Sequence, residues 1–392
     1  MGYRNVEAVN WTAGAGDDLL VYQGGTRYDG GEGNDTFYAD FSGTAQAVNW
    51  DVDAQSFSKV DGVTVANIER LLLASGSGND LFRAKLGDLS HHIESGGGND
   101  MIELGAGDDY VDAGAGNDTL DGGAGIDTMI GGDGNDAYYV RDTGDVVTET
   151  NATASTGGTD TVYSYLTTYN LGANVENGRI VTTAPANLTG NSLNNFLYAG
   201  AGDNTLTGED TPTGGGGSDT VSYYYGVSGM TGVTVSLELV TAQNTIGSGS
   251  DTLTGIENLT GSAYSDTLTG NSNVNILTGG RGRDILTGSG GNDVFDFNAL
   301  SEMGISSSTW DVITDFSRGD RIDLSTLDAN VATTSSNDAF TALIDGAASF
   351  TAAGQLKVSG GVLYGNTDVD VDPEFAIELT GVVSLALSDF IL

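Results

Sequence analysis

Between residues 95 and 139 a single apolar side chain recurs every nine residues, at Ile102, Val111, Leu120, Met129 and Tyr138, each flanked by polar or small neighbours. That period is neither the 3.6 of an amphipathic helix nor the sustained alternation of a long strand. The unit that repeats is Gly-Gly-x-Gly-x-Asp-x-apolar-x, as SGGGNDMIE (95–103), LGAGDDYVD (104–112), AGAGNDTLD (113–121), GGAGIDTMI (122–130) and GGDGNDAYY (131–139). Six Gly-rich residues suit a tight turn with positive φ, and x-apolar-x suits a very short strand. If two units make one coil, the apolar eighth residues point inward and successive coils stack at roughly 4.8 Å. The fold class expected is all-β: a parallel β-roll, or β-solenoid.

Weaker copies stand at AGAGDDLLV (13–21), GGEGNDTFY (30–38), SGSGNDLFR (75–83), AGAGDNTLT (199–207) and GGGGSDTVS (214–222), out of step with their neighbours. A second in-register array runs through GSAYSDTLT (261–269), GNSNVNILT (270–278), GGRGRDILT (279–287) and GSGGNDVFD (288–296). The stretches 39–74, 140–189 and 222–260 are richer in alternating apolar residues and Thr, which predicts longer strands: Val48, Trp50 and Val52 alternate, as do Val233, Val235 and Leu237. Helical periodicity is confined to 65–74 and 298–303. Near the end, LKVSGGVLYGN (356–366) reads as two strands joined at Gly360-Gly361, a hairpin turn. These patterns divide the chain into an N-terminal β segment with isolated repeats (1–74), a main roll (75–140), β segments with degenerate repeats (141–260), a second roll (261–297) and a C-terminal β cap (298–392). A cap covers the strand edge that an open stack would expose.

Stacking brings sixth-position aspartates together two repeats apart: Asp100 with Asp118, Asp109 with Asp127, Asp118 with Asp136, and in the second array Asp266 with Asp284 and Asn275 with Asp293. Like charges that close repel unless a cation lies between them. Ca²⁺ accepts six to eight oxygens from carboxylates and from the carbonyls that Gly-rich turns leave free, whereas Mg²⁺ keeps its water and wants stricter octahedral geometry. Several calcium ions are therefore expected. The carbonyls expected to join the aspartates belong to the turns of Gly97, Gly114, Gly116, Gly123, Gly125, Gly132 and Gly134. Asp18, Asp35, Asp80 and Asp219, from the isolated repeats, complete partial sites at most. Asn275 brings only a neutral oxygen, and Arg281 and Arg283 add positive charge, so affinities should be graded.

Overall charge agrees. Of 392 residues, 54 are acidic and 13 basic, a net charge of -41, with 61 Gly and 3 Pro. A chain so charged repels itself and lacks the basic surface that nucleic acid or an anionic membrane demands. The absence of Cys excludes disulfides and thiolate chemistry. The opening Met1 to Glu7 has no basic start or apolar core of an export signal, and no apolar run reaches membrane-spanning length.

The nonapeptides, the segment DVITDFSRGDRIDLS (311–325) and the terminal Asp389-Phe390-Ile391-Leu392 together resemble the RTX (repeats-in-toxin) calcium-binding family, in particular the C-terminal region of serralysin-type secreted proteins. The resemblance implies Ca²⁺ held between successive turns by turn carbonyls and sixth-position Asp; Asn195, Asn204 and Asn275 depart from that pattern. It also implies export by type I secretion machinery through an uncleaved C-terminal signal, for which Asp389, Phe390, Ile391 and Leu392 are the candidates. The chain would then stay unfolded at low cytosolic calcium and fold outside the cell.

Serralysins are zinc proteases, yet no His-Glu-x-x-His occurs here, and the adjacent His91-His92 cannot share one face of a helix or strand. They read as surface or packing residues. No Gly-x-Ser-x-Gly elbow occurs, and calcium ligation accounts for the spaced Asp without a catalytic role, so no enzyme is expected. Arg318-Gly319-Asp320 belongs to the cap sequence, which makes it structural rather than adhesive. Asp368, Asp370 and Asp372 either bind a further Ca²⁺ or form a solvated acidic turn. Two functions remain: a self-associating structural protein outside the cell (surface layer, filament, matrix or adhesion), or the calcium-folding and secretion module of a larger secreted enzyme. Gly2-Tyr3-Arg4-Asn5-Val6 parallels Gly255-Ile256-Glu257-Asn258-Leu259, so the chain is expected to begin mid-pattern, either truncated or a short protein that is all repeat.

Overall fold

The computed structural model describes residues 10–51, 56–58, 63–84, 89–151, 153, 156–208, 217–227, 229–333, 337–382 and 384–392. Met1 to Glu7, Val52 and the first three residues of GGGGSDTVS lie outside the described residues. The fold is all-β, a parallel β-roll, in two compact units spanning 1–181 and 182–392.

In the first unit the chain alternates between two parallel sheets. One contains Arg70–Ala74, His92–Glu94, Tyr110–Ala115, Thr128–Asp133 and Val146–Thr148; the other contains Leu81–Ala84, Met101–Leu104, Thr119–Asp121, Ala137–Val140 and Thr161–Ser164. Each repeat crosses from one sheet to the other, so residues 18 apart become neighbours: Val111 faces Met129, and Ile102 faces Leu120, which faces Tyr138. All five eighth-position residues are fully buried, as the nine-residue pattern requires. Stacking in register leaves the flanking polar residues partly exposed, and it buries each apolar residue against its counterparts above and below.

The isolated repeats are out of step only in sequence. Leu81–Ala84 pairs in register with Met101–Leu104, and Leu19–Val21 with Thr36–Asp40. Residues 65–74 form no helix. Two strands, Thr64–Ala66 and Arg70–Ala74, meet near Asn67 at φ 53, because burying Val65, Leu71 and Leu73 in parallel ladders outweighs a weak helical periodicity. At 298–303 only a 3-10 turn, Leu300–Glu302, is present. The stretches between the arrays carry strands of two to five residues, no longer than those of the repeats, since the coil's turns limit their length. Asn49–Asp51 and Thr234–Ser236 lie where alternation places strands, with Val48, Trp50, Val233, Val235 and Leu237 buried.

In the second unit one parallel sheet runs through Thr220–Ser222, Asn258–Thr260, Ile276–Thr278, Val294–Asp296, Arg321–Asp323 and Phe390–Ile391. The other passes from Thr267–Thr269 and Ile285–Thr287 through Asp311–Ile313 to Phe375–Leu379. Gln355–Ser359 and Val362–Asn366 form the expected antiparallel hairpin, with Gly360 and Gly361 at φ 63 and 81 at its turn. Val362–Asn366 also lies antiparallel to Phe375–Leu379, so the hairpin covers the end of that sheet.

Candidate metal sites

Each repeat turn delivers its sixth residue to the same place beside the stack. Along one row, Val48 N–H donates to Asp80, Asp80 N–H to Asp100, Asp100 to Asp118, Asp118 to Asp136 and Asp136 to Asp160, always onto Oδ1 at 2.6–2.8 Å. Along the other, His91 N–H donates to Asp109, Asp109 to Asp127 and Asp127 to Asp145 at 2.6–3.2 Å. Asp18 N–H donates to Asp35, and Asp35 N–H to Glu69. A carboxylate ladder results in which backbone takes one oxygen of each aspartate.

The second oxygen is left over. At Asp35, Asp109, Asp118, Asp127, Asp136 and Asp284, Oδ2 is buried with no hydrogen-bond partner among the described residues. Burial, with some repulsion from neighbouring carboxylates, pushes Asp127 and Asp136 up to about 6, Asp109 and Asp118 to about 7 and Asp284 to about 9. At Asp100 burial dominates also, to about 6, eased by Ser95. Rows of buried, ionisable oxygens without donors are costly in a calcium-free fold. A hard divalent cation supplies the missing partner and the opposite charge, and an all-oxygen donor set fits Ca²⁺.

The turns bring backbone equally close. Gly114, Gly116, Gly123, Gly125, Gly132 and Gly134 all have positive φ, and each lies against the carbonyl of the glycine 18 residues earlier, while Gly97 does not have positive φ. At Gly116, φ is 141 and a methyl group would collide with the Gly98 carbonyl; at Gly97 the nearest atom to an added methyl is 3.5 Å away. Gly116→Ala is therefore expected to cost about 3 kcal/mol and Gly97→Ala under about 1 kcal/mol, read as thermal midpoints in saturating calcium. Equal midpoints for the two variants would show that the turns tolerate side chains.

In the second unit Asp284 Oδ1 accepts from Asp266 N–H, and Asp311 from Asp284 N–H. Asp266 is already engaged by the Ser262 N–H and hydroxyl. Asp293 accepts from Asn275 N–H and donates its own N–H to Asp320. Asn275 uses its amide on Asn271 N–H and the Glu257 carbonyl, so it has little to offer an ion. Asp219 accepts from Asn195 N–H and donates to Glu257.

Several rungs escape a nine-residue count. Asp160, Asp251, Asp311 and Asp320 occupy ladder positions at irregular intervals, as do Glu69, Glu176 and Glu257, whereas Asp145 keeps the count nine residues after Asp136. The aspartates at 160, 251, 311 and 320 share a local signal, Asp-x-apolar with the apolar residue buried: Val162, Leu253, Ile313 beside Val312, and Ile322. Asp320 of Arg318-Gly319-Asp320 is buried and hydrogen-bonded to Asp293 and Ser317 N–H, which gives it a structural place.

His91 stands where a repeat would have Asp. Its Nδ1 accepts from Leu71 N–H at 3.0 Å, its ring is buried, and burial with the nearby Arg70 lowers its pKa to about 4, so it packs as a neutral ring. His92 faces outward, stacked on Tyr110 and paired with Glu94 at 3.0 Å. Asp368 and Asp370 converge with Glu374 on a partly exposed turn, with Asp372 N–H donating to Asp370. At the end of the chain, Asp389 closes a 3-10 turn by accepting from Ala386 N–H, and Phe390–Ile391 pairs with Arg321–Asp323.

Two family models match. Residues 218–392 match the model described as Peptidase M10 serralysin C terminal, and the RTX calcium-binding nonapeptide repeat matches in four copies, at 21–41, 92–120, 113–147 and 189–222. No curated protein matches the chain.

Proposed function

We propose that this chain, a secreted calcium-binding RTX protein with a serralysin-type C-terminal domain, serves a structural role outside the cell by associating with copies of itself. Its repeats bind Ca²⁺. Bound calcium supplies the charge that lets stacked carboxylates stay ionised; the chain's own part is to present an unpartnered oxygen at rungs such as Asp109, Asp118, Asp127 and Asp136. The proposed ligands are the aspartates and turn carbonyls of the ladders, Asp100 to Asp136 foremost. Asp389 to Leu392 are proposed as the signal for the secretion machinery. Because Phe390 is buried in the final strand, that signal is read before the domain folds.

The observation that carries self-association is an open edge. Among the described residues Leu19–Val21 ends its sheet, with Leu19 64% and Val21 39% exposed. Beside it a cleft of about 310 Å³ is lined by Trp11, Leu20 and Tyr28. A parallel strand edge with apolar flanks is a template for another strand. Light scattering in about 1 mM calcium is expected to give a mass that rises with concentration, and Leu19→Lys to return it towards the monomer; a strict monomer at all concentrations overturns the reading.

A second reading is favoured by the match over 218–392 to a peptidase's C-terminal region: a non-catalytic folding and secretion module of a larger enzyme. The intact mass of the natural secreted product decides between them, since a module would arrive joined to a catalytic domain.

A further inference from the structure

One cluster in the first unit departs from the ladder. Glu149 follows the strand Val146–Thr148 and occupies, 18 residues on, the place of Gly131 at the start of the preceding turn. Its carboxylate turns into the core rather than out to water. There it lies with Asp136 and Asp160: all three are buried, and one oxygen of each falls within 4.8 Å of the others. Tyr138, the inward eighth residue of its repeat, donates its hydroxyl to Glu149 Oε1. An added methyl on Gly131 would strike the Tyr138 hydroxyl, Asp136 Oδ2 and Glu149 Oε1 together, so these three oxygens converge on one small volume that only glycine leaves open.

Hydrogen bonding does not satisfy this cluster. Asp160 Oδ1 is taken by Asp136 N–H, but Asp136 Oδ2 and Glu149 Oε2 have no partner among the described residues, though both side chains are more than nine-tenths buried. A ladder rung offers two carboxylates and backbone oxygen; this place offers three carboxylates and a phenol oxygen. More ligand charge in a rigid site raises calcium affinity.

We propose that Asp136, Glu149 and Asp160, with the Tyr138 hydroxyl, form a discrete calcium site in the core of the first unit, tighter than the rungs of the ladder. It fills before the other sites as calcium rises and empties after them under a chelator. The site stands whether or not the protein self-associates.

The test counts ions on the full chain dialysed against about 1 µM buffered free calcium, a level below the range of extracellular calcium modules. Wild type is expected to retain calcium there and Glu149→Gln to retain one ion fewer, with the tightest binding class weakened about tenfold or more. Tyr138→Phe keeps the ring in the core and gives an independent reading with terbium as the probe: emission excited through tyrosine at less than one terbium per chain should fall several-fold. An unchanged ion count in a folded Glu149→Gln overturns the proposal. So does unchanged terbium emission in Tyr138→Phe, which decides the matter if Glu149→Gln fails to fold. A Glu149→Gln that stabilises the calcium-free fold and titrates like wild type also overturns it, because glutamine would then be replacing a protonated, hydrogen-bonded carboxyl.

Discussion

Stripping calcium at about pH 8 is expected to unfold the first unit, and restoring about 1 mM calcium to refold it. The expectation follows from the ladder Asp80, Asp100, Asp118, Asp136, Asp160, whose members sit one coil apart with their charges buried. Holding one such aspartate ionised without a cation costs on the order of 4 kcal/mol, when its folded pKa lies about three units above the ordinary value, as at Asp118. A domain's whole stability is about 5–15 kcal/mol, so a few uncompensated rungs exceed it. The net charge of -41 adds long-range repulsion in the same direction. Far-UV circular dichroism and hydrodynamic radius in chelator and in calcium would report the change, with amide exchange at Met101–Leu104 and Thr119–Asp121 locating it. A compact, exchange-protected chain in chelator at this pH would mean that packing alone holds the roll.

Acid is expected to replace calcium in part. In the calcium-free fold burial holds Asp100 at about 6, Asp109 and Asp118 at about 7, Asp160 at about 8 and Asp284 at about 9, against an ordinary value of 3.8. The fold thus binds more protons than the unfolded chain across that window, and its stability is fullest below about pH 4 and declines as pH rises through 6 to 7. With chelator present, lowering the pH from about 8 to about 5 should recover much of the β signal. With calcium present the slope reverses, because protons then compete with the ion for the same oxygens. Asp118→Asn removes one of these groups and should flatten the calcium-free profile. A chain as unfolded at pH 5 as at pH 8 in chelator would show that burial of these carboxyls is not what opposes the apo fold.

The periodic parts were the most legible. Five inward residues and five aspartates nine apart specify both the coil and the ladder, because an unbroken repeat forces neighbours 18 residues apart into register. Turn chemistry was readable too: Gly360-Gly361 sits where two alternating runs meet, and the hairpin is there. Less legible were rungs separated by insertions. From Asp80 to Asp100 the interval is 20, from Asp136 to Asp160 it is 24, and from Asp284 to Asp311 it is 27. Loop length costs little in a stack whose register is set by buried side chains, so counting along the chain loses rungs that the ladder keeps. The helical reading of 65–74 failed for a related reason: a short apolar run has no conformation of its own until a neighbouring strand provides one.

The sequence by itself determined that this chain winds into calcium-binding coils, since turn glycines, inward apolar residues and spaced aspartates are local properties that each repeat carries. Tertiary structure alone decided which carboxylates are left with a free oxygen, and that Glu149 and Tyr138 meet Asp136 and Asp160 in the core. Those facts depend on which coil lies next to which, and contact between coils is a property of the stack rather than of any repeat within it.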